Sequence, residues 1–223
     1  MATFRKLVFR DGEIYHVFNR GIDRRTIFTD KKEYERFQKL IKFYRHKDIP
    51  IRFSKINQQP VEFREKILEK LYSSERALDI LSYCIMPNHF HFLLKQTSDK
   101  GVSVFISNIV NAYTKYFNTK HERTGPLFEG VFKAVHIETD EQLVHVSRYI
   151  HLNPVSSSII PTGELEDYEW SSYPEYLSLT EEEIAQKDLV LDMFKSIQAY
   201  QEFVNNQIDY AKQLDIIKHL IIE

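Results

Sequence analysis

The sequence predicts an α+β protein with a ferredoxin-like antiparallel sheet, helices on one face of that sheet, and a helical C-terminal extension. Three observations carry this expectation. Segments follow the order strand, helix, strand, strand, helix, strand, helix. The two middle strand segments are separated by the turn residues Pro87 and Asn88, which reads as a hairpin. From Ser178 onward, apolar residues recur at helical spacing. One face of the sheet is expected to carry helices and the other to stay available.

Each element has a local reason. "EIYHVFNR" (13–20) is rich in β-branched and aromatic residues and stops at Gly21, a strand and a turn. "TDKKEYERFQKLIKFYRH" opens on Thr29 or Asp30 as N-cap and repeats apolar residues at Tyr34, Phe37, Leu40, Ile41 and Tyr44, a helix. Residues 46–76, punctuated by Pro50 and Pro60, read as an insertion with a short helix at "VEFREKILEKLY". The second strand runs over 77–86 and the third over 89–96. "GVSVFISNIVNAYTKYFNTKHERTG" is a helix ending by Gly125, and "LFEGVFKAVHIE" (127–138) is the fourth strand. "TDEQLVHVSRYIHLN" is a helix capped by Thr139 or Asp140 and expected to stop at Pro154. The main body is thus expected over 1–158 and the extension over 159–223.

Composition bounds the function. The chain has 223 residues, of which 43% are hydrophobic and 28% charged, enough for a sizeable core. No apolar run approaches a membrane span, the N-terminus lacks a signal-peptide core, and the single Cys84 excludes an internal disulfide framework, so a cytoplasmic, non-membrane protein is expected. Net charge is −2, but residues 1–70 hold 18 Lys+Arg against 10 Asp+Glu, while residues 159–223 hold 4 against 14. A basic front suits a polyanion and an acidic tail suits an appendage, although solvated helix faces of both signs would give the same count.

The chemistry concentrates at "YCIMPNHFHFLLKQ". Alternation along a strand puts His89, His91, Leu93 and Lys95 on one face and Phe90, Phe92 and Leu94 on the other, which is the core face. Two imidazoles two residues apart can converge on one divalent ion, but a half-exposed strand also carries such pairs. In "VHVSRYIHLNPV", Tyr149 and Asn153 lie four apart on one helix face, and Tyr149 sits at the edge of the apolar stripe of Leu143, Val146 and Ile150. "YTKYFN" also offers tyrosines near an asparagine, but neither Tyr113 nor Tyr116 shares that four-residue spacing with Asn118.

These residues fall in an ordered set of motifs: "YHVFNRGIDRRTIF", "MPNHFHFLL", "YTKYFN", "GPLFEGVFKA", "SRYIHLNPV" and "WSSYPEY". Over roughly residues 12–177 the chain resembles the single-tyrosine transposases of the HUH nuclease superfamily, in particular REP-associated tyrosine transposases. The resemblance implies metal ligands at His89, His91 and Asn153, a position that is glutamine in some relatives, and a nucleophile at Tyr149. It implies a Mg²⁺- or Mn²⁺-dependent endonuclease and strand transferase that acts on single-stranded DNA with hairpin structure through a 5′-phosphotyrosine. Imidazole also accepts Zn²⁺ and Ni²⁺. Relatives include monomers and homodimers that share sites between chains, so either assembly is expected.

Contacts to DNA phosphates are expected from Asn19, Arg20, Arg24 and Arg25 around the Gly21 turn, and from Lys115 and Lys133, with Lys120 and Arg123 extending that surface. Two other readings share these residues: a noncatalytic DNA-hairpin binder, indifferent to loss of the tyrosine hydroxyl, and a metal-dependent phosphohydrolase that releases its product. The tail from Ser178 to Glu223 carries none of these motifs and reads as two acidic helices that pack on the body or regulate the DNA groove.

Overall fold

The computed structural model describes residues 7–206. A four-stranded antiparallel sheet has the order β2-β3-β1-β4, with β1 Ile14–Arg20, β2 Leu78–Met86, β3 His89–Gln96 and β4 Lys133–Ile137. With α1 (Lys31–Tyr44) between β1 and β2, and α4 (Gly101–Lys120) between β3 and β4, this is the ferredoxin-like arrangement. Two short helices, α2 (Phe53–Ile56) and α3 (Val61–Tyr72), occupy the expected insertion. Its base is closed by the His46–Arg76 bridge and by the Ala77 N–H donating to the Arg45 carbonyl. Helix α5 (Asp140–Ser156) follows β4, and α6 (Tyr173–Tyr176), α7 (Asp188–Leu191) and α8 (Ile197–Asn205) follow in the C-terminal part.

The residues gather into two compact units. Among the described residues, one takes in 7–79 together with Pro87–His89 and Leu94–His136; the other takes in Ile80–Met86, Phe90–Leu93 and 137–206. In the first unit α1 packs on α4, and the pair is tied at one end by Glu33. This carboxylate accepts from the Thr29 N–H and hydroxyl, from Lys120 Nζ at 2.7 Å and from His121 Nε2 at 2.6 Å, while the Asp30 side chain caps the helix at the Glu33 N–H. Burial raises the Glu33 carboxyl, but Lys120 and the hydrogen bonds outweigh it and leave it lowered.

The second unit has a tighter interior than alternation suggests. Every residue from Ile80 to Met86 in β2 and from Phe90 to Leu93 in β3 is buried, so at these positions no strand face stays open. The reason lies in the segment beyond α5. Trp170 and Ser172 pair with the β2 edge, the Trp170 carbonyl accepting from the Ile85 N–H and the Ser172 N–H donating to the Tyr83 carbonyl. The hydroxyls of Tyr168 and Tyr176 donate to the Ile85 and Leu81 carbonyls. A strand edge with unpaired amides is thereby covered by its own chain.

Two element boundaries differ from expectation. β4 begins at Lys133, not 127, because Gly130 takes φ +47 and breaks the extended run. Helix α5 continues past Pro154 to Ser156, because a proline in the last turn removes a single helical hydrogen bond and the Ser157 N–H still reaches the Asn153 carbonyl. Two helices were expected in the tail; the short α7 and α8 lie in its described part, and the stretch after 206 lies outside the described residues.

Gly21 shows why the turn after β1 needs its residue. A Cβ there would sit 2.5 Å from the Arg25 carbonyl oxygen and 2.7 Å from Ile27 Cγ2. Gly21→Ala is therefore expected to lower unfolding free energy by about 1–3 kcal/mol in urea titration, the range of an overpacked site. An unchanged midpoint would show that the loop relaxes freely.

Candidate active site

The turn between β2 and β3 positions the first histidine. The Gly21 N–H donates to the Asn88 carbonyl, and the Ile27 and Phe28 N–H groups both donate to the Pro87 carbonyl. Asn88 Nδ2 donates to the Arg24 carbonyl at 3.1 Å, which leaves Asn88 Oδ1 to accept from His89 Nδ1 at 2.6 Å. That bond selects the tautomer in which His89 Nε2 carries the lone pair. Sequence reasoning missed Asn88 as the residue that orients His89. The signal was present as a short amide directly before the histidine, but it had been spent on the turn.

Two residues further along β3, His91 is buried, and its ring meets the Tyr149 ring edge to face, with centroids 5.6 Å apart and planes at 87°. Tyr149 is 37% exposed, so its phenol has solvent on one side and the imidazole on the other. Asn153 is buried one turn later, and its Nδ2 donates to the Tyr149 carbonyl at 2.8 Å. With the nitrogen so committed, Oδ1 is the atom left to accept. Within the second unit, the imidazole of His91 and the carboxamide oxygen of Asn153 are donors of the kind that divalent first-row ions and Mg²⁺ take. Among the described residues no group of three or more His, Cys, Asp or Glu is placed to hold a metal.

The other tyrosines are engaged differently. Burial pushes the phenols of Tyr113, Tyr173, Tyr176 and Tyr200 upward, and Tyr113 donates to the Ile27 carbonyl at 2.5 Å. Its role in "YTKYFN" is to tie α4 to the loop after Gly21. Asn118, the amide of the same motif, donates to the Gly125 carbonyl and accepts from Arg123.

Helix α5 is held by a buried polar chain. His151 Nε2 lies 2.8 Å from Ser172 Oγ and His151 Nδ1 lies 2.8 Å from the Tyr200 hydroxyl, which is itself 2.8 Å from Ser147 Oγ. Burial lowers His151 to about 3, so the ring is neutral. Ser172 Oγ also accepts from the Tyr83 N–H in β2. "WSSYPEY" thus joins the helix that carries Tyr149 to the strand before the histidines.

The expected phosphate contacts divide. Arg24, Lys115 and Lys133 are exposed. Arg20 is exposed but paired with Glu129 at 2.6 Å, and Arg25 lies 3.6 Å from Asp23. Asn19 is buried, with its Oδ1 accepting from the Arg20 N–H, so it shapes the turn. Lys120 is held by Asp30 and Glu33, and Arg123 by Asn118 and the Pro126 carbonyl.

Residues 50–153 match the family model described as IS200-like transposase, a stretch that contains both histidines and ends at Asn153. Within that stretch the chain is similar to the IS200-like transposases. A solved structure of a REP-associated tyrosine transposase bound to a REP hairpin superposes with a TM-score of 0.52 at 15% identity, covering 82% of this chain and 90% of that one. That likeness establishes a shared fold. No curated protein matches the chain in sequence. No helix among the described residues is long and apolar enough to cross a membrane.

Glu175 gives the second unit a pH dependence. It is buried, accepts from the Tyr83 hydroxyl and the Ala185 N–H, and burial pushes its carboxyl up to about 7. A raised carboxyl contributes stability that is full below its unfolded value near 4.5 and is lost as pH rises through about 7. Glu175→Gln does not carry that loss. Between pH 4.5 and 7 the variant should gain on the wild type by about 2 kcal/mol in urea unfolding, and a pH-independent difference would contradict the assignment.

Proposed function

We propose that this protein is a metal-dependent single-stranded DNA endonuclease and strand transferase that acts at DNA hairpins, with Tyr149 as nucleophile. The observation that carries the proposal is the half-exposed Tyr149 phenol in edge contact with His91, on a helix whose next turn places the Asn153 amide. The match to IS200-like transposases supports the reaction class, and the hairpin bound by the similar REP-associated protein supports the substrate class.

In this reading His89, His91 and Asn153 would hold a divalent cation, Mg²⁺ or Mn²⁺, which would offset charge on the scissile phosphate. Tyr149 Oη forms a bond to phosphorus in line with the leaving oxygen. The bond from phosphorus to the 3′ oxygen breaks, and that oxygen leaves as a 3′ hydroxyl after taking up a proton. The phenolic proton passes to solvent, and the product is a 5′-phosphotyrosine that keeps the phosphoester bond for rejoining. His91 limits where the phenol can swing, which lowers the entropy of reaching the attack geometry. The exposed Arg24 sits in the loop that clamps the His89 turn, so its charge is available to backbone phosphates close to that histidine. Lys115 and Lys133 are further phosphate contacts in this proposal. The catalytic body is assigned to 1–158, with 159–223 as its extension, and a homodimer with Tyr149 serving the partner chain fits the same chemistry.

Incubation of the protein with hairpin DNA bearing single-stranded flanks and Mn²⁺ tests the reading by gel electrophoresis under denaturing conditions. The wild type should give both a nicked strand and an adduct that survives denaturation. Tyr149→Phe should lose both, by at least about a thousandfold in rate, while still binding the hairpin. Cleavage that persists without an adduct would overturn the covalent step, and wild-type binding with neither product would overturn the nuclease assignment.

A further inference from the structure

A second feature lies within the first unit, where α1, α4 and the α2–α3 insertion enclose a cleft of about 570 Å³. That volume falls in the range of small-ligand sites. Its charged lining holds four cations, Lys32, Arg36, Lys39 and Arg64, against the single carboxylate of Glu35. On α1 the spacing of Lys32, Arg36 and Lys39 sets all three on one face, and Arg64 approaches from α3. The four cations outnumber the one carboxylate, so the field in the cleft is positive.

The floor of the cleft is aromatic. The Arg36 guanidinium lies 4.4 Å from the centre of the Phe53 ring and 5.1 Å from that of Tyr116. Its Nε is buried with no hydrogen-bond partner among the described residues. A buried donor without an acceptor costs about 1–3 kcal/mol unless something supplies one. A solvated lysine face would explain Lys32 and Lys39, but it would not stack a guanidinium on two rings and leave its Nε unsatisfied. Planar cation, aromatic rings and flanking lysines are the elements that hold a base by its face and a phosphate by its charge.

We propose that this cleft binds a nucleotide, with the base stacked against Arg36, Tyr116 and Phe53 and the phosphate met by Lys32, Lys39 and Arg64. Two sources share that chemistry: an unpaired nucleotide in the flank of the hairpin DNA, and a free nucleotide. The first source rests on the DNA reading above and deepens it, because it gives the insertion at 46–76 a task in substrate selection. The second does not rest on it.

The test compares the full chain with the triple variant Lys32→Glu, Lys39→Glu, Arg64→Glu, whose reversed charges lie at the surface, and with Arg36→Lys, which keeps the charge but loses the planar group. Circular dichroism checks that each variant is folded. Fluorescence anisotropy is read with hairpins carrying randomised single-stranded flanks and with the same hairpins trimmed of flanks, and calorimetry is read with free deoxynucleoside monophosphates. If the DNA flank is the ligand, the triple variant should bind flanked hairpins at least about tenfold more weakly, with the logarithmic salt slope reduced by about two, while trimmed hairpins are unaffected. Arg36→Lys should weaken flanked hairpins alone. If the wild type binds monophosphates and the variants do not, with hairpin affinity unchanged, the cleft is a site for free nucleotide. Equal losses on flanked and trimmed hairpins would reduce it to general electrostatics and overturn the proposal, as would no loss on any probe. Should the wild type bind no hairpin at all, the function proposed above fails, and the monophosphate titration alone upholds or overturns the cleft.

Discussion

Helix α5 must present a phenol to solvent while the strands beside it are buried, and a neutral His151 makes this possible. The imidazole carries one donor and one acceptor, and its two neighbours, the hydroxyls of Ser172 and Tyr200, can each take either role, so both ring nitrogens are satisfied without a charge. A charged ring in that position would bring a large desolvation penalty, which is why burial lowers it to about 3. The bonds run from the C-terminal Tyr200 through the helix to Ser172 and then to the Tyr83 amide of β2. The orientation of Tyr149, two residues before His151, follows from this chain.

The motifs that first looked like a sequence signature become two mechanical assemblies. In the first unit, the loop after Gly21 receives the Pro87–Asn88 turn, the Leu127 carbonyl from "GPLFEG" and the Tyr113 hydroxyl from "YTKYFN", and its product is an oriented His89. In the second, "SRYIHLNPV" and "WSSYPEY" meet at His151 and Ser172, and their product is a Tyr149 ring set against His91. Most of these motif residues thus act on the backbone around the candidate site, and few are reactive themselves.

Much of this was legible in the sequence. Period-two and period-3.6 patterns marked strands and helices, and α3 and β3 fall on the residues the pattern indicated. The four-residue spacing put Tyr149 and Asn153 on one face of one helix, and the structure links them through the Asn153 amide. The closed face of β2 and β3 was not legible, because alternation describes a strand with one wet side and says nothing of a distant segment such as Trp170–Ser172 returning to cover it. The structural roles of Asn19 and Lys120 were hidden for a related reason: a polar residue in a basic stretch reads as free for a ligand until its partner, here the Arg20 amide or Glu33, is known. The aromatic floor under Arg36 joins α1, α2 and α4, a convergence that no local spacing encodes.

The account stands on Tyr149 being the atom source of a covalent link to DNA. Mass spectrometry of proteolysed wild-type protein, taken after reaction with hairpin DNA and nuclease trimming, reads that link directly. The peptide bearing Tyr149 should carry a 5′-phosphonucleotide. A phosphonucleotide on a peptide with any other tyrosine, such as Tyr116 or Tyr34, would contradict it.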